Sequence, residues 1–313
     1  LLEAGLSANY VLTTNLLAWR HTLPSSEEAF ESARSAVDRL IACLTVEEAF
    51  AILLANYVSF EKAVASANIE NMVERGVSMT ELHSRRREVD RHLVNVLAAG
   101  EMFSDYVFSR AKKQFGWKSS EIAALDSAYQ DQRNRLVGFW ATERLRNAVL
   151  HNSLPITSWT TGGKWVGVET DARLEHSVTF AFIPDLLARD RKVEPELIAR
   201  LQDERADKKG QVSWVHLIRE YVEGLSIILG EVRKIWAEVD DAASAILTEM
   251  ADRYRASLPE GREQPTYVFI VETNEDGSWR RDVLLDSDLG GELVELRRQH
   301  RPMVNLHKRA LVG

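Results

Sequence analysis

Residues 119–155 read SSEIAALDSAYQDQRNRLVGFWATERLRNAVLHNSLP, and the fold assignment turns on this stretch. Ser119-Ser120-Glu121 is a capping-type helix start. Ile122, Leu125, Tyr129, Leu136, Phe139, Trp140 and Leu145 then recur at helical spacing rather than alternating. The spacing predicts one long helix from Ser119 to about His151. Pro155 disfavours helical geometry at Leu154, so the helix should stop within a residue or two of His151.

The end of that helix concentrates chemistry. Arg146, Asn147 and His151 put a permanent cation, an amide and a titratable imidazole within six residues. Such groups can hold a phosphodiester and move protons on it near neutral pH. The bare spacing is weak, because His92 and His307 also have an arginine a few residues upstream. Context separates the three. At His151 alone the arginine is followed by Asn, the intervening residues are apolar, and a Leu-Pro stop comes after the histidine. Helix geometry leaves the phosphate ligand open. Arg144, Asn147 and His151 share one stripe, whereas Arg146 lies roughly 140° around from His151 unless the helix ends early.

Arg-Asn-three residues-His followed by Leu-Pro resembles the signature of HEPN domains (higher eukaryotes and prokaryotes nucleotide-binding), which carry an Arg-x4-6-His motif. The resemblance is specific over roughly Ser119 to Ile156 and architectural elsewhere. It implies a mainly α fold, an antiparallel helical bundle with long helices. It also implies a metal-independent endoribonuclease of bacterial defence or toxin–antitoxin type, with 2′-OH attack and a cyclic phosphate product. Arg146 and His151 would be the catalytic pair, with Asn147 positioning and Arg144 as the alternative phosphate ligand. The implied partners are an RNA substrate, a second copy placed with the motif at a two-fold interface, and an antitoxin or sensor protein.

The first half of the chain reads as helix. Leu6 to Arg20 has helical spacing, Ser25-Ser26-Glu27-Glu28 starts a helix running to about Cys43, and Thr45-Val46-Glu47-Glu48 opens another through Ala65. A long helix follows, about Glu81 to Phe115. After the 119–151 helix, Ile156 to Val168 and Ser177 to Ile183 read as a hairpin. Pro195 to Glu204 and Val212 to about Ser257 resume as helices. Pro259-Glu260-Gly261 marks the expected domain boundary, giving a helical domain over 1–257 with a hairpin insertion around 156–184. The remainder, 262–313, reads as a small extension: a hairpin from 267–271 and 282–285 around Asn274-Glu275-Asp276-Gly277, then a short basic helix. The two hairpins are compatible with one small sheet.

Composition sets outer limits. The 313 residues, 45% hydrophobic and 27% charged, suit a soluble globular protein. No apolar run approaches bilayer length, and Leu1-Leu2-Glu3-Ala4-Gly5 lacks the basic start of a secretory signal. A cytoplasmic protein without membrane contact is expected. Cys43 is the sole cysteine, in an apolar run that reads as core. His-Glu-x-x-His, paired-Cys and EF-hand patterns are missing, so neither a cofactor nor a dedicated metal site is expected. Gly162-Gly163-Lys164-Trp165 falls short of a phosphate-binding loop and reads as lying between strands.

A net charge of −8 works against a dedicated nucleic-acid binder, but the charge is uneven. Residues 133–151 hold four arginines against one glutamate, and 295–309 five bases against one acid. Arg297, Arg298 and Arg301 are therefore candidate RNA contacts, and Trp159 and Trp165 candidate stacking platforms. His92, beside Arg85-Arg86-Arg87, reads as part of a solvated helix face. The rival functions are a non-catalytic module binding RNA, nucleotide or protein, and a plain helical interaction protein.

Overall fold

A computed structural model describes residues 10–14, 21–74, 78–151, 155–168, 171–184, 193–285 and 288–309, with backbone alone for 147–151. Among them, seven helices and two small antiparallel sheets make a mainly α protein, about 66% helical. The helices are α1 (Glu27–Val73), α2 (Met79–Phe115), α3 (Ser120–Arg135), α4 (Val137–His151), α5 (Pro195–Glu204), α6 (Trp214–Ala256) and α7 (Leu289–Gln299). The strands are β1 (Tyr10–Thr13), β2 (Leu23–Pro24), β3 (Ser158–Val166), β4 (Arg173–Phe182), β5 (Val212–Ser213), β6 (Phe269–Thr273) and β7 (Trp279–Leu284).

The chain forms two compact units, 1–48 with 233–300 and 49–232 with 301–313. The expected division at 258–261 is not where these units part; both boundaries fall inside helices, α1 and α6. The first unit holds the sheet β2-β1-β6-β7. Residues 10–13, expected as helix, form β1 because Tyr-Val-Leu-Thr pairs along β6, with Val11 opposite Val271 and Leu12 opposite Ile270. Short apolar runs fit either state until a partner strand decides. Residues 6–9 and 15–20 of that expected helix lie outside the described residues.

A buried charge network finishes this unit. Arg233 forks onto both carboxylate oxygens of Glu47 at 2.7 and 2.6 Å. Arg297 pairs with Asp240 and sits 3.4 Å from Glu47. The Cys43 thiol donates to Asp240 at 2.6 Å. This explains why α1 does not restart at Thr45, as the capping pattern suggested. Glu47 faces these arginines instead of a helix terminus, and the Thr45 hydroxyl donates back to the Ile41 carbonyl at 2.7 Å. A continuous α1 also corrects the expectation about apolar length: an 18-residue window of mean hydropathy 1.6 is long and apolar enough to cross a membrane. Core helices share that composition, and 44% of the window is buried in the protein.

The second unit carries the helical core. Phe50 of α1 meets Phe103 of α2 edge-on, with ring centres 5.4 Å apart. Phe139 of α4 lies between Tyr129 of α3 and Tyr221 of α6, at 6.2 and 5.6 Å. The hairpin β3–β4 extends to β5, and Phe182 packs on Trp214. Gly162 and Gly163 are inside β3, opposite Ser177 and His176, not between strands. Gly167, at φ +109°, takes the left-handed conformation near the turn. The two hairpins belong to separate sheets rather than one.

Candidate functional site at the end of α4

The expected 119–151 helix is two helices. Leu136 adopts an extended conformation at φ −122°, ψ 103°, ending α3 and releasing α4 in a new direction. The break is held by tertiary contacts. The Gly138 N–H donates to Glu220 of α6 at 2.5 Å, satisfying an amide in the first turn of α4. Glu220 is almost wholly buried and its other oxygen accepts from Arg205 at 2.9 Å. A Cβ on Gly138 would stand 2.6 Å from the Glu220 carboxylate and 2.9 Å from the Leu217 Cα. Only glycine permits this approach.

Three neighbours then fix α4 along its length. Arg133 of α3 grips Glu143 through two bonds at 2.7 and 3.2 Å. Arg144 reaches Glu194, the residue before α5, at 2.6 Å. Arg146 turns the other way and pairs with Glu101 of α2 at 2.9 Å. Beyond the helix, the Pro155 carbonyl accepts from the Trp214 indole at 2.9 Å, and the Ile156 N–H donates to Asp90 at 3.1 Å. Asp90 and Glu101 are eleven residues apart on α2 and therefore share a face.

The two arginines differ in exposure. Arg144 keeps 49% of its side chain exposed, Arg146 only 18%. Arg146 lies beside the buried phenol of Tyr221, whose ring is seated against Gly100. Burial pushes the Tyr221 phenol up, and the Arg146 guanidinium pulls the other way. Burial also pushes the Asp90 carboxyl up, against the Ile156 hydrogen bond. Arg86 stands 3.6 Å from Asp90, too far for a hydrogen bond.

Helical backbone continues through His151. The alternative in which the helix ends early and the imidazole swings round to Arg146 is not what the backbone does. Arg144, Asn147 and His151 therefore stand on one stripe of α4, with Arg146 on another side. The Asn147 and His151 side chains lie outside the described residues.

The remaining expected contacts fall elsewhere. Arg297 is committed to Asp240 and Glu47 in the first unit, and Arg298 pairs with Glu295 on its own helix at 2.7 Å. Arg301 is exposed. Trp165 is 68% exposed on β3. Trp159 is half-buried, with the His83 ring edge-on at 5.4 Å and the Arg86 guanidinium 5.8 Å from its centre. Lys62 and Arg91, which the sequence reading passed over, line a groove between α1 and α2 together with Arg87 and His92, which it placed on a solvated helix face. The signal was present in Arg85-Arg86-Arg87, but its pairing with α1 was not. Comparison of the chain with protein-family models, curated proteins and solved structures finds no match.

Proposed function

We propose that this protein is a metal-independent endoribonuclease working from the end of α4. The observation that supports the reading best is the unbroken helix from Val137 to His151, which aligns Arg144, Asn147 and His151. In this reading Arg144 meets two oxygens of the scissile phosphate, Asn147 orients it, and His151 carries the proton. The negative end of the helix dipole favours imidazolium at His151, which suits it to act as acid. The ribose 2′-oxygen forms a bond to phosphorus, the phosphorus–O5′ bond breaks, and His151 protonates the departing O5′. A cyclic 2′,3′-phosphate and a free 5′-hydroxyl result. The 2′-OH proton goes to a base, supplied in this proposal by His151 of a second copy across a two-fold axis. Arg146 anchors α4 to α2 through Glu101.

The test is incubation of the purified protein with mixed RNA in EDTA, beside His151→Ala and Arg144→Ala. Cyclic-phosphate ends that vanish in both variants support the reading; cleavage that survives His151→Ala refutes it. Sedimentation of an active monomer refutes the two-fold arrangement. One observation favours a second reading, a module that binds without cleaving: both arginines already hold carboxylates, Arg144 on Glu194 and Arg146 on Glu101. RNA binding without cleavage by the wild type selects it.

A further inference from the structure

The α1–α2 groove has a volume of about 760 Å³ and lies wholly within the second unit. Its α1 wall carries Ser59, Lys62, Ser66 and Glu70, which recur at helical spacing, and its α2 wall carries Ser84, Arg87, Glu88 and Arg91. With Arg85, four cations stand against two carboxylates on a chain whose net charge is −8. The acids are occupied. Glu70 accepts from Arg85 at 2.7 Å, and Glu88 is bound by Arg91 and by His92, the latter at 3.0 Å. Lys62 and Arg87 are exposed and, among the described residues, have no ion-pair partner.

Two features set the ligand class. The cations are strung along the helix walls rather than converging on a point: Arg85, Arg87 and Arg91 span roughly 9 Å of α2 at 1.5 Å per residue, with Lys62 on the facing α1 wall. That layout suits a chain of phosphates better than a single one. Arg85 and Ala67 also border a small cleft that includes Trp159, so an aromatic ring stands at the margin of the cationic groove. Cationic tracks with an adjoining aromatic side chain are how single-stranded nucleic acids are held without sequence preference. The groove residues occupy the face of α2 next to the one that carries Asp90 and Glu101, about a third of a turn away. We infer that the α1–α2 groove binds the backbone of single-stranded RNA, with Lys62 and Arg87 as its free phosphate contacts. The inference rests on the reading that the chain handles RNA, but not on cleavage.

The experiment uses the full chain carrying His151→Ala, with a fluorescent 20-nucleotide single-stranded RNA followed by anisotropy across a salt series. Adding Lys62→Glu and Arg87→Glu should weaken binding at least tenfold. It should also flatten the plot of log affinity against log salt by about 1.4, the slope for two phosphates of a single strand at roughly 0.7 each. Lys62→Gln with Arg87→Gln should give a smaller loss of the same sign. Lys208→Glu with Lys209→Glu, on an exposed turn, should leave affinity within twofold. Unchanged affinity and slope in the groove variants, or an equal loss in the turn variant, overturns the inference. Cleavage by wild type with groove-independent binding leaves the nuclease standing and removes the groove. Groove-dependent binding without cleavage does the reverse.

Discussion

Arg144 and Arg146 are separated by one residue, yet 100° per residue turns them about 160° apart on α4. That rotation sends one toward solvent and the other into α2, and the consequences are measurable. Arg146→Ala leaves Glu101 facing an unfilled, largely buried site. It should cost about 1–2 kcal/mol in urea unfolding, as loss of a charge-assisted hydrogen bond does. Arg144→Ala removes a more exposed pair with Glu194 and should cost under about 1 kcal/mol. Equal costs would remove the anchoring role given to Arg146. The sequence showed both arginines but not their partners, since Glu101 and Glu194 lie 45 and 50 residues away. Glu223 makes a second residue-scale case. Its fully buried carboxylate meets Arg135 at 3.1 Å and His307 at 2.8 Å. Burial opposes its charge, but the His307 hydrogen bond, helped by Arg135, holds it below the usual carboxylate range. A carboxylate lowered on folding stabilises the protein above its unfolded pKa and loses that contribution as pH falls. Glu223→Gln should therefore be least stable relative to wild type near pH 7, and the gap should narrow on acidification below about 4.3. A gap constant from pH 7 to pH 3 would contradict this.

At the scale of elements, α4 owes its direction to one missing methyl group. Gly138→Ala drives a Cβ against the Leu217 backbone and the Glu220 carboxylate. The exchange should destabilise by about 1–3 kcal/mol in spite of the better helix propensity of alanine. Glu220→Gln should also destabilise, because the amide keeps one acceptor for Gly138 but turns its own donors on Arg205. A neutral or stabilised Gly138→Ala in denaturant titration would mean that α4 shifts freely. The helical reading of 119–151 matched the helical span, though as one helix rather than two. It missed the break at Leu136, because Leu136 and Phe139 keep the apolar period across it. Periodicity records which face is buried, not whether the axis bends. The opposite error split the continuous α1 into two expected helices, where Thr45 and Glu47 imitate a start but serve other partners. The β3–β4 and β6–β7 hairpins were legible because each closes within about 25 residues. Strand β1 was not, because its partner β6 lies some 260 residues along the chain.

At the scale of the whole molecule, the first unit is assembled from the two segments 1–48 and 233–300. A boundary sought in local composition, such as Pro259-Glu260-Gly261, cannot reveal such an arrangement. The charge clusters follow the same logic. The basic 295–309 stretch looked like one surface, yet Arg297 is consumed by Asp240 and Glu47 while Arg301 is exposed. Exposure, not charge count, decides which arginines are free for a ligand. Where Arg297 ends, Cys43 begins: its thiol is buried, donates to Asp240, and is pushed well up by that burial and by the carboxylate. Thiol reagents attack the thiolate, so native Cys43 should be silent to a chromogenic disulfide at pH 8 and stoichiometric in denaturant. The sole sulfhydryl of the chain is thus a built-in clock for the first unit. With reagent in excess and reclosing fast, the labelling rate gives the free energy of opening around α1 and α7, without any engineered probe. Asp240→Asn should speed that clock, whereas changes at Gly138, in the other unit, offer the comparison that reveals whether the two units open together.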